Sequence, residues 1–180
     1  MNRYVKTLSG MILLSLTLTG CDLFDKVDDV TFQGVLPVEF VVNEGVISDV
    51  PVEYSETRIL DALENDDIEK YRNKIKDIKL NSVTYEIKNY DAPGEVTLSN
   101  GSVKIVSSGK TLVTVPSIIL KETAETELTS LDASGLLEFA NELEANKQIE
   151  ISMGGTLSST PVAFTLVAKF HVTVKAEVID

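Results

Sequence analysis

A chain of 180 residues with 43% hydrophobic content is long enough to bury one ordinary core, and it carries a formal charge of −12. Its acids are interleaved with apolar runs instead of being blocked into a tail, so the charge reads as the solvated surface of a folded domain. Nucleic-acid phosphates and anionic lipid repel such a surface, because both are recognised by clusters of Lys and Arg that displace counterions.

The first element is a leader. Residues 1–6 include Arg3 and Lys6, and Leu8 to Leu18 follows as an apolar and small-residue run of 11 residues. A helix needs about 20 such residues to cross the hydrocarbon core, so this run reads as a secretory signal and not as a span. It ends in Leu18-Thr19-Gly20-Cys21, and Cys21 is the chain's single cysteine. That tetrad resembles the lipobox of bacterial lipoproteins. The resemblance implies recognition of Leu18, Thr19 and Gly20 by the signal peptidase and acylation of Cys21 with palmitate-type chains. It also implies removal of residues 1–20; without Arg3 and Lys6 the charge of −12 becomes −14. Two or three acyl chains anchor effectively permanently, since each buried CH₂ contributes about 0.8 kcal/mol.

The expected organisation is a signal peptide over 1–20, a lipidated tether over 21–30 and one domain over 31–180. Asp22 resembles an inner-membrane retention signal of enteric-type bacteria, whereas Asp25, Asp28 and Asp29 look like acidic export tags. The expected address is the cell envelope, with the outer membrane favoured over the inner and the leaflet left open.

Beyond the tether, alternation with a period of two dominates. Leu36, Val38, Phe40 and Val42 share one parity, and Pro37 among them points to an edge strand or a strand entry. Further strands are expected within Val50 to Leu60, Glu95 to Val106, Leu112 to Leu120 and Gln148 to Leu157. From Asp77 to Tyr90 the apolar phase shifts across Asn81-Ser82, which predicts a β-bulge there. Asn100-Gly101 suits a two-residue hairpin turn, and Gly154-Gly155 a bend or bulge. The longest strand is Pro161 to Val178, with Phe164, Phe170 and the other even-numbered apolar residues on a buried face. Lys169, His171 and Thr173 lie opposite them.

Two short helices interrupt this pattern. The first is expected over Asp67 to Ile75, with Asp66 as N-cap, Glu69 as capping-box partner and Ile68, Tyr71 and Ile75 on one face. The second is expected over Gly135 to Asn146, opened by Ser134, with Leu136, Leu137, Ala140 and Leu143 facing the core. The fold class is therefore mainly β, an antiparallel β-sandwich of seven or eight strands, because the alternation of strand and helix that a parallel sheet requires is missing.

Chemistry is sparse along the chain. His171 is the single histidine and falls on a polar strand face, so any Ser-His-Asp arrangement would have to use it. One histidine and one acylated cysteine cannot furnish a zinc site. Gly94, Gly101 and Gly109 are too far apart for a phosphate loop. Asp61, Glu64, Asn65, Asp66 and Asp67 supply oxygens of the kind calcium takes. They lack the calcium-loop spacing, however, and precede a helix, where acids act as caps. Without tryptophan, sugar stacking would fall to Tyr54, Tyr71, Tyr85 or Tyr90.

No catalytic residue, cofactor or metal is expected, and the chain reads as a non-enzymatic lipoprotein. Its expected role is an accessory scaffold that binds another envelope protein. The alternative is a carrier or receptor for a small or lipidic ligand, held between the sheets or under the second helix. Lys74 to Leu80, then Val83 to Ile87 and Asn89-Tyr90, resemble the start of late-embryogenesis-abundant-type and other immunoglobulin-like sandwiches. In strand pattern the domain is also similar to uncharacterised lipoproteins of Gram-negative bacteria.

Overall fold

The structure, a computed structural model, describes residues 29–178. Nine strands alternate with few helices: β1 (Asp29–Ser48), β2 (Val52–Asp61), a 3-10 turn (Ala62–Glu64), α1 (Asp66–Lys70), β3 (Ile75–Asp91), β4 (Thr97–Ile105), β5 (Thr111–Val115), β6 (Ile118–Ile119), β7 (Thr123–Leu128), α2 (Ala133–Asn146), β8 (Gln148–Leu157) and β9 (Thr160–Glu177). They build two antiparallel sheets, one ordered β1-β9-β3-β7 and the other β2-β8-β4-β5, with β6 added beside β4. The chain is thus a β-sandwich.

The apolar parity expected along β9 fills the interior. Val162, Phe164, Leu166, Phe170, Val172 and Val174 are buried, and so are Leu36, Val38, Phe40 and Val42 of β1. Val167 is buried as well although it points to the outer face, since β9 is flanked by strands on both sides. From the other sheet, Leu98, Ile105, Ile149, Ile151 and Met153 meet these residues.

Strand order corrects the immunoglobulin-like expectation. β9 pairs with both β1 and β3, and β8 pairs with both β2 and β4. The ribbon β8–β9 is therefore central in both sheets, with β1–β2 wrapped along one side of it and β3–β4 along the other. This wrapping makes a jelly roll, in which consecutive strands cross between sheets.

Several local expectations are met by register. β3 gains a residue against β9 at Asn81, between Leu80↔Val172 and Ser82↔His171, and the Asn81 amide donates to the Thr173 hydroxyl at 2.8 Å. β1 is an edge strand, as Pro37 suggested. Its free edge is blunted around that proline, which has no N–H to offer: the Val35 carbonyl accepts from the Asn65 amide at 3.4 Å and the Glu39 carbonyl from Arg58 Nε at 3.2 Å.

Other expectations are corrected. Asn100-Gly101 is not a hairpin turn but a bulge inside β4, between Ser99↔Thr156 and Ser102↔Gly154, with Asn100 at φ 52°. The segment Leu112 to Leu120 divides into β5 and β6 around Pro116-Ser117. β7 had no counterpart in the sequence reading.

α1 is one turn long, capped by Asn65 instead of Asp66, and Ile75 belongs to β3. Five residues cannot hold a helix by propensity, and from Ile75 onward the chain pairs with β9, beginning at Ile75↔Ala176. α2 starts two residues earlier than Ser134 would place it, because the Asp132 carboxylate accepts from the N–H groups of Ser134 (2.9 Å) and Gly135 (3.0 Å). Its buried face is Gly135, Phe139 and Leu143, whereas Leu137 is 63% exposed. Gly135 is required there, since a Cβ would lie 2.1 Å from the Thr111 carbonyl oxygen of β5. Phe139 stacks on Phe170 with ring centroids 5.4 Å apart. The helix thereby closes the core instead of covering it loosely.

Truncating either ring of that stack leaves a void in a filled interior. Phe139→Ala and Phe170→Ala are each expected to cost about 3–5 kcal/mol, whereas Thr165→Ala on the outer face costs little. Chemical denaturation curves of the three variants measure the difference; a Phe139→Ala protein as stable as wild type would contradict this packing.

Candidate functional site

Leu18, Thr19, Gly20 and Cys21, the residues expected to carry processing and lipidation, lie outside the described residues. The entry to the domain from that side is held electrostatically. The Asp29 carboxylate meets Lys175 Nζ at 2.7 Å and Lys76 Nζ at 2.9 Å, and these two ammonium groups hold its carboxyl below the usual range.

His171 sits where its parity put it, on the outer face of the β1-β9-β3-β7 sheet. Its Nε2 is 3.1 Å from Thr84 Oγ1 and 3.5 Å from Glu125 Oε1, and the Thr84 hydroxyl donates to the same carboxylate oxygen at 2.8 Å. Lys169 Nζ bridges Glu125 and approaches Glu86 at 3.8 Å. A hydroxyl, an imidazole and a carboxylate are thus together, but not as a relay. Glu125 and Thr84 share one ring nitrogen, whereas a triad needs its carboxylate on the far nitrogen to orient the base. The group also lies on an open sheet face.

The cluster acts as a clasp. β7 is an edge strand whose register against β3 breaks between Tyr85↔Thr126 and Ile87↔Thr123. That extra residue turns Glu125 back across β3 to reach β9. Lys169 and then Thr84 hold its carboxyl below the ordinary carboxylate range, and Glu125 in turn raises the Lys169 ammonium. Sequence reasoning missed Glu125 because Thr123–Leu128 buries only Leu128 and shows no apolar alternation.

The acidic stretch 61–67 performs capping. The Asp61 carboxylate accepts from the Leu63 N–H at 2.8 Å, and the Asn65 side-chain oxygen accepts from the N–H groups of Asp67 and Ile68, both at 3.2 Å. The tyrosines do not converge. Tyr54 is buried, which pushes its phenol up to about 12, and it donates to Glu56 at 2.5 Å. Tyr71 packs on Phe32, Tyr85 is buried, and Tyr90 donates to the Gly94 carbonyl at 3.2 Å.

Several surface depressions remain. The one over the outer face of β2, β8 and β4, about 400 Å³, is lined by Glu53, Ser55, Ser102, Lys104, Ser152 and Thr156, and Gly154 lowers its floor. A second, about 290 Å³ and mostly apolar, lies between β3 and α2 at Ile78, Leu80, Leu136, Leu137 and Ala140. Both open to the exterior. Among the described residues no helix is long and apolar enough to cross a membrane.

No protein-family model matches the chain, and no curated protein matches it. Among solved structures, the decameric BFDV capsid protein is similar with a TM-score of 0.46 at 8% identity, over 81% of this chain and 98% of that one. A structure of turnip yellow mosaic virus gives 0.38 at 9% identity, over 84% and 96%. One of Desmodium yellow mottle tymovirus gives 0.37 at 9% identity, over 99% and 98%.

The clasp has a pH dependence of fixed sign. Because the folded Glu125 carboxyl lies below its ordinary value of 4.5, its contribution is complete above that value and is lost as pH falls through the folded one. Glu125→Gln removes it at every pH. Amide exchange across Thr123–Leu128 is expected to accelerate in Glu125→Gln at neutral pH, with β9 unchanged; equal exchange in both proteins would contradict the clasp.

Proposed function

We propose that this chain is a lipid-anchored envelope protein of non-enzymatic function, whose sandwich serves as a binding scaffold for another protein. The observation that carries this reading is the filled interior. Phe40, Phe139 and Phe170 with Leu36, Leu60, Ile105, Ile151 and Leu143 occupy the space between the sheets, all fully buried. Recognition then falls to the outer surfaces, which suits contacts with a macromolecule. The lipobox-like tetrad ending at Cys21 supports the anchor. The arrangement at His171 supports a non-enzymatic role, because its carboxylate fastens a strand and does not orient a base.

The carrier reading draws on one feature, the apolar groove between β3 and α2, where Leu137 stands 63% exposed. An acyl-chain ligand seated there would be sensitive to Leu137→Asp, whereas a scaffold that binds elsewhere would not be.

Two substitutions test the proposal. Cys21→Ser is expected to abolish incorporation of a palmitate analogue and to release the protein from membranes, since the thioether needs the thiol. His171→Ala is expected to leave folding, labelling and complementation of a deletion strain within a small factor of wild type. A folded, membrane-bound His171→Ala protein that behaves as a null would overturn the non-enzymatic reading, and equal labelling of Cys21→Ser would overturn the anchor.

A further inference from the structure

The end of the sandwich remote from Asp29 concentrates exposed apolar surface. β1 leaves its register with β9 after Glu44↔Val162 and rejoins it at Ser48↔Thr160, so Gly45, Val46 and Ile47 are pushed out as a bulge. Val46 is 79% exposed, Ile47 80% and Val50 67%. Single exposed valines need no explanation, but three large apolar side chains within five residues do. The loop is also pinned. The Thr160 hydroxyl donates to the Val46 carbonyl, and the Ser48 hydroxyl donates to the Val50 carbonyl at 3.0 Å. The backbone that carries these side chains is therefore held in place, which lowers the ordering cost of binding.

Acids surround this tip. Glu44 of β1, Asp49 of the β1–β2 connection and Glu53 of β2 flank it. The β3–β4 connection brings Asp91 and Glu95 to the same end, because Asn43 and Asp91 both pair with Ala163. No Lys or Arg occurs from Val42 to Thr57 or from Asn89 to Val103. A notch of about 160 Å³ lies alongside, between Asn43–Gly45, Asp91–Pro93 and Pro161–Ala163.

We infer that this tip is the docking surface of the scaffold, and that its occupant is a partner protein offering an apolar pocket rimmed by Lys and Arg. The inference rests on the protein-binding reading above and adds to it the place and the chemistry of the contact. Charge decides among occupants. A second copy would set acid against acid, and an anionic bilayer would oppose the same five carboxylates.

The test uses the full-length lipidated protein in intact envelopes, with a photo-crosslinking side chain at position 47 or, as a control, at position 59. Ile59 is exposed to a similar degree (65%) but lies in β2, away from the tip. The expected result is one discrete protein adduct from position 47 and none from position 59. In a Glu44→Lys, Asp49→Lys background its yield should fall about tenfold, with thermal melting unchanged.

An adduct of twice the chain's own mass, a lipid adduct, or a yield indifferent to charge reversal would overturn the inference. A protein adduct from position 59 alone would overturn the tip and leave the protein-binding reading standing. No adduct from either position would contradict both.

Discussion

The structure depends on the two-sided pairing of one ribbon, residues 148–177. β8 and β9 take hydrogen-bonded neighbours on both edges in their respective sheets, so each sheet is built outward from a strand of the same hairpin. A strand paired on both sides has no edge to protect, and flanking strands on both sides leave even the outward residues of β9 mostly half-buried. α2 is docked against the same ribbon through the Phe139–Phe170 stack. Residues distant in sequence are thus tied to the last strand, and sandwiches of this kind assemble mainly through non-local contacts.

The outer strands show how the remaining edges are handled. β1 is 20 residues long with one open edge, a length that invites pairing with foreign strands. Pro37 withdraws a donor from that edge, while Asn65 and Arg58 occupy two of its carbonyls. The bulge at Gly45–Ile47 interrupts the ladder before its last pair, Ser48↔Thr160. β7 is short, and Glu125 binds it to the sheet by side chain where its ladder breaks. The same bulge that breaks the regular edge of β1 displays its apolar side chains, so protection of the edge and presentation of a surface share one device.

Alternation made much of the fold legible in the sequence. β1, β3, β8 and β9 each bury one parity of large apolar residues, and the phase slip at Asn81 marks its bulge in the sequence itself. What could not be read was partnership. Nothing local in Leu36–Val42 states that it pairs with Phe164–Phe170 instead of with its neighbour in the chain, and the immunoglobulin-like expectation failed for that reason. The α2 stripe is met at Leu143 and Leu136, which lie in or against the core, but it includes the exposed Leu137 and omits Phe139, the residue that faces Phe170. His171 was placed on the correct face, but its neighbours come from two other strands, and β7, with three threonine or glutamate side chains exposed for each apolar one buried, gave no periodic signal.

Asp29 and the tip lie at opposite ends of β1, which spans roughly 50 Å or more at about 3.3 Å per residue. A lipid on Cys21 would therefore tether the end containing Asp29 and Glu177 and carry Ile47 away from the bilayer. Energy transfer from fluorophores at position 178 or position 47 to acceptor lipids, with the lipidated protein in supported bilayers, measures that arrangement directly. The account predicts strong transfer from position 178 and weak transfer from position 47. Equal transfer from both, or stronger transfer from position 47, would contradict it.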